Sequence, residues 1–174
     1  PHRISEIKDA QYAAMRWDVI AARRFYQAFQ HAEVAFDGMD TPCTSMKEKD
    51  EVAYLVGLIS GTFAVLHDKQ TRGSVGVPME LLPKIARASE CLDNEKWWHV
   101  PQALQSGIWA TIPGSGPSDV DPWKLLDEAG HQGAESGGRV AFAIGALLSN
   151  NSGEIEKLKS ALEGHGEDLG NREA

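Results

Sequence analysis

The residue group with the most recognisable chemical spacing is Glu128-Ala129-Gly130-His131. A Glu and a His three apart share one helical face, as the ligands of di-iron helical bundles do. A complete site needs a second such motif and two more carboxylates, and the chain holds no second Glu-x-x-His. Glu135 joins His131 on that face if the helix runs on. His31, His67, His99 and His165 have no metal-binding helical pairing. The reading is therefore of no metal and no cofactor. Ser136-Gly137-Gly138-Arg139 could offer backbone N–H groups to an anion, but it lacks the Gly-Lys-Ser/Thr ending of a phosphate loop. Linker or tight packing is its plainer reading. No serine–histidine triad can be assembled from spacing alone.

Trp97-Trp98-His99 is the most unusual local feature. Adjacent indoles cannot both face one core from a helix, so one is expected at a groove or interface. With Trp109, and Trp123 further on, they could line an aromatic binding pocket. The plainer reading is that they staple a loop to the helices. Asp18 falls inside an apolar helical arc near Phe25 and Phe29. A carboxylate there needs a partner, and Arg87 or Arg139 is the expected one. Otherwise Asp18 is a buried acid of raised pKa.

These residues must be positioned by helices, because no strand alternation persists anywhere. Segment 5–36 reads as one long helix capped by Ser5 and stopped at Gly38. Ile7, Ala10, Ala14, Trp17, Ala21, Phe25, Ala28, Ala32 and Phe36 form its stripe at 100° per residue. Ser45-Met46-Lys47-Glu48 fits a capping box that opens a second helix, running to about His67. From Val52 to Leu66 that helix is apolar all round, which predicts full burial. Ala53, Gly57, Ser60, Gly61 and Ala64 gather on one side as a groove for close helix approach. Further helices are expected over 78–92, 101–111 and 152–162, and from Pro122 with Asp121 as cap. Four glycines between Gly130 and Gly138 would cost a continuous helix about 4 kcal/mol. A break followed by a helix from Arg139 is the favoured reading, and a continuous helix with a second small-residue groove is the alternative.

The predicted fold is all-α: an irregular bundle of five or six helices around a central, fully apolar one. It forms a single domain over 1–165, with a hinge at 113–118 and a flexible tail over 166–174. The 174 residues, 42% of them hydrophobic, suit one domain with a real core. Acidic residues exceed basic ones 25 to 17, a net charge of −8. Nucleic acid and anionic membrane are disfavoured partners, a basic protein surface is permitted, and solubility alone is the plainer reading of the charge. The 15-residue run from Val52 to Leu66 is short for a membrane span. Cys43 and Cys91 lack C-x-x-C spacing, and no signal-peptide h-region is visible, so a reducing cytoplasmic setting is expected.

The functional expectation is a non-enzymatic acidic helical protein that regulates, adapts or inhibits by docking on another protein. Self-association as a homodimer would help cover the apolar helix. The alternative is an enzyme or small-molecule binder with a pocket of Trp97, Trp98, His99 and Trp109.

Overall fold

The computed structural model describes residues 2–40 and 42–167. Among them the regular elements are seven α-helices and two 3-10 turns, with no strand. The helices are α1 (His2–Ala35), α2 (Glu51–Gln70), α3 (Leu81–Ala88), α4 (Val100–Thr111), α5 (Pro122–Glu135), α6 (Val140–Ser152) and α7 (Ile155–Glu167). One 3-10 turn, Glu48–Asp50, leads into α2, and the other, Ser89–Cys91, follows α3. The count is one above the upper expectation, and the glycine-rich segment separates α5 from α6 as the favoured reading has it. The predicted tail mostly lies outside the described residues, and Gly166 and Glu167 belong to α7.

α1 and α2 form an antiparallel pair. Phe36 meets the Tyr54 ring at 5.1 Å, and Phe25 meets Phe63 at 5.5 Å. The glycines of α2 allow that approach. A Cβ on Gly57 would lie 2.6 Å from the Ala32 Cβ, and one on Gly61 would lie 2.6 Å from Phe29 and from Ile85 of α3. Both distances are below van der Waals contact, so only glycine fits. Gly38, at φ 97°, ends the α1 segment by donating its N–H to the Glu33 carbonyl.

α2 also packs on α3 and α4, while α4, α5, α6 and α7 pack on one another. Tyr54, Leu58, Ala64 and Val65 of α2 share the core with Ile85, Leu104, Ile108, Ile144 and Leu148. Burial of α2 is not complete, however. Val52 and Val56 are half exposed, because among the described residues no element covers that side.

Local signals explain most other boundaries. Asp121 caps α5 by accepting the N–H groups of Trp123 and Lys124. Pro101 sits in the first turn of α4, where its missing N–H costs nothing. Pro83 occupies the same permissive zone of α3, which therefore starts at Leu81 rather than Pro78. Ser45 does not cap α2; the 3-10 turn intervenes. The last helix runs past the expected end at 162, through Gly164, where the Phe142 ring leaves no room for a Cβ.

The two cysteines correct an expectation. Cys43, between α1 and α2, is disulfide-bonded to Cys91, with Cα atoms 5.4 Å apart and a sequence separation of 48. Neither cysteine is a free thiol. Among the described residues no helix is long and apolar enough to cross a membrane.

Candidate functional site

The largest cavity is a cleft of about 780 Å³ beside the α1–α2 contact. Its α1 wall is Ala28, Ala32 and Ala35, and its α2 wall is Ala53, Val56, Gly57 and Ser60. Thr44, Ser45 and Met46 of the intervening connection close one side. His31, Asp37 and Asp50 bring the polar groups. Small side chains on both helices leave the space, and the Cys43–Cys91 bond anchors the connection that bounds it. Volume and composition match a site for an apolar ligand or side-chain cluster. The Thr44 hydroxyl is buried without a hydrogen-bond partner.

α1 continues well past this cleft. Asp18 lies level with His67, near the end of α2. Roughly sixteen residues of α1, about 24 Å of helix, therefore project beyond α2. Ile4, Ile7, Tyr12 and Trp17 are exposed on this projection, Trp17 at 70%.

The expected tryptophan cluster is split by the length of α4. Trp97 donates its indole N–H to Glu51 Oε2 at 2.8 Å. Lys96 pairs with Glu48 at 3.2 Å and Glu51 at 3.1 Å, and lies 5.6 Å from the Trp97 ring centroid. The Trp97 hydrogen bond, followed by that of Lys96, holds the Glu51 carboxyl below its ordinary range. Trp98 meets Trp97 edge-on at 6.1 Å. Trp98 and His99 both have left-handed backbones, φ 50° and 56°, a conformation that bulky residues seldom adopt. The strain is held by tight packing. A Cβ on Gly133 would lie 2.5 Å from the Trp98 carbonyl oxygen, and one on Gly138 would lie 2.4 Å from the Trp98 side chain. Gly133 of α5 and Gly138 of the α5–α6 turn are thus the seat of Trp98. His99 Nδ1 meets Gln102 Oε1 at 3.2 Å. Trp109 is near the other end of α4, over Gly116 of the 113–118 segment. Trp97, Trp98, His99 and Trp109 do not converge on one cavity.

Asp18 is part-buried and pairs with neither expected arginine. Its Oδ1 lies 2.8 Å from His67 Nδ1, and His67 stacks on Phe25 at 5.6 Å. Arg87 instead grips Asp40 through two hydrogen bonds of 2.9 and 2.8 Å. Arg139 donates to the His165 carbonyl. The Asp18–His67 pair orients an imidazole, and among the described residues no hydroxyl is hydrogen-bonded to that ring.

Glu128 pairs with Lys124 at 3.5 Å, and His131 lies 3.8 Å from Asp127. Among the described residues no group of three or more His, Cys, Asp or Glu is placed to hold a metal ion. The chain matches no protein-family model, no curated protein and no solved structure.

Sequence reasoning missed the cleft, the disulfide and two buried polar groups, Asp68 and Tyr54. Asp68 had a signal. It stands at the end of α2, ahead of Thr71, Gly73 and Gly76, where a carboxylate can collect the N–H groups of a tight loop. The cleft had none, because alanines that line a gap read like alanines that fill one.

Proposed function

We propose that this protein acts by protein–protein interaction, docking through the α1–α2 face rather than through the tryptophans around α4. The observation that carries the reading is the projection of α1 beyond α2, with Ile4, Ile7, Tyr12 and Trp17 in water. A helical extension of that length is marginal without packing, and large apolar side chains left in water along it favour a partner that covers them. In this reading the seven helices form one domain organised on α2, and the uncovered side of α2 belongs to the docking face. The net charge of −8 lies outside α1, whose five basic and four acidic residues give +1, so charge does not demand a basic partner at this face. The protein is then a regulator, adaptor or inhibitor. The Cys43–Cys91 bond supports an oxidising compartment over the reducing cytoplasm expected from the cysteine spacing.

The test compares wild type with Trp17→Glu in quantitative pull-downs, after checking that both melt alike. A partner held by wild type and lost by the variant is the expected result. Recovery unchanged by the substitution would exclude α1 as the docking element.

A second reading is small-molecule binding, favoured by the cleft of about 780 Å³. Apolar ligands would then raise the melting temperature of wild type, and Val56→Trp, which fills the cleft, would abolish the shift.

A further inference from the structure

We propose that the α1 docking element takes a second copy of this chain, packed antiparallel, α1 against α1. The inference rests on the docking reading and names the occupant. Ala10, Ala14, Trp17, Ala21, Ala28 and Ala35 fall within about 60° of arc at 100° per residue. All are exposed except Ala21, which is half-buried. The face centred on Ala22 and Phe29 is taken by α2, so this arc opens beside it, onto the cleft.

The arc can pair with itself. An isologous contact needs one surface to supply both projections and recesses. Here Trp17 is the single bulky side chain among alanines. In an antiparallel pair related by a two-fold near Val19, Trp17 of each copy meets Ala21 of the other, and Ala10 meets Ala28. Each indole then lies on a methyl group, and the helices can approach closely. Exposed Ile7 and Val56 extend the apolar face beside it, toward the roughly 800 Å² that each partner contributes to a standard interface.

Charge selects the same face. The α1 segment holds five basic and four acidic residues, a net of +1, so the remainder of this −8 chain carries −9. From Ala10 to Ala35 the arc contains no charged side chain. Two copies meeting elsewhere would bring net negative surfaces together, whereas α1 meets α1 without that repulsion.

Sedimentation analysis of the full chain up to on the order of 100 µM, well above the micromolar weak end for an interface of this size, reads the association. The expected result is a wild-type dimer that Trp17→Glu weakens at least tenfold while the helical signal persists. Register is read independently by mixing Ala10→Cys and Ala28→Cys variants under mild oxidation. The mixture should cross-link between copies well beyond either variant alone. A wild type monomeric at the highest concentration, a dimer indifferent to Trp17→Glu, or no excess cross-link in the mixture overturns the proposal. A monomer that still captures another protein through Trp17 overturns this inference and leaves the docking reading standing. A Trp17-dependent dimer with no other partner does the reverse for heterologous docking.

Discussion

Asp68 Oδ2 accepts the backbone N–H of Val77 at 2.8 Å, across nine residues of loop. Its other oxygen takes the Val75 N–H at 2.8 Å and the Thr71 hydroxyl at 2.9 Å. One carboxylate thus holds the Val75–Val77 part of the α2–α3 connection, while the Arg72, Gly73 and Gly76 N–H groups donate to backbone carbonyls.

Burial alone would raise the Asp68 pKa, but the Val75, Val77 and Thr71 hydrogen bonds, with one from Gly76, together hold it below the ordinary carboxylate range. The folded state therefore prefers the charged form. Its contribution is present above the unfolded pKa of about 3.9 and is lost as pH falls through the lower folded value. Asp68→Asn presents an N–H₂ where an acceptor is needed and should cost about 2–4 kcal/mol. Denaturant melts at pH 7 and pH 3 check both points. A variant as stable as wild type at pH 7 would refute this role.

Tyr54 is fully buried, and its hydroxyl has no hydrogen-bond partner. Burial, with the nearby Asp40 charge adding to it, pushes its pKa up to about 12. Between pH 10 and 12 the unfolded chain loses this proton while the folded chain keeps it, so stability falls as pH rises. The loss across that window is about 2–3 kcal/mol. Tyr54→Phe should flatten the decline and melt no lower than wild type near neutrality, since it removes an unpaired buried hydroxyl. Thermal melts at pH 8 and 11 decide.

The Cys43–Cys91 bond closes a loop 48 residues long. Chain entropy assigns such a closure about 4 kcal/mol. Reduction, or Cys43→Ser with Cys91→Ser, should lower the melting temperature by several degrees. Trypsin should then cut faster at Lys47 and Lys49, in the connection that the bond anchors. Equal melting and equal cleavage in both forms would show that packing alone secures the connection.

Glycines separate by what surrounds them. Gly61→Ala places a methyl 2.6 Å from Phe29 and Ile85 and should cost about 1–3 kcal/mol. Gly145→Ala meets nothing nearer than 3.7 Å in a helical backbone and should be neutral or stabilising by up to about 1 kcal/mol. Paired urea titrations test the contrast, and the reverse order would contradict the packing of α1 on α2.

Much of this architecture was legible because its causes are local. Asp121-Pro122 opens a helix wherever it is placed, since the cap bonds N–H groups two and three residues away. Gly38 ends α1 for the same kind of reason. Of the four glycines from 130 to 138, Gly130 and Gly133 stay inside α5, and the helix breaks only at Gly137, at φ 91°. Gly57 and Gly61 announced a close helix approach, although not that Phe29, Ala32 and Ile85 would make it. The spacing of the tryptophans did not carry their placement in space. α4 carries Trp109 to the opposite end, while Trp98 turns onto a glycine seat more than thirty residues ahead.

By itself, then, the amino-acid order determined an all-helical chain, most of its helix starts and stops, and the small-residue face of α2. Those features depend on hydrogen bonds and periodicities within a few residues. Only the tertiary structure decided that Asp18 meets His67 rather than an arginine, that Cys43 meets Cys91, and that one side of α2 stays open beside an alanine-lined cleft. Each of these is set by which distant surfaces pack together, and residue types alone do not encode which of several acceptable partners the folded chain brings within reach.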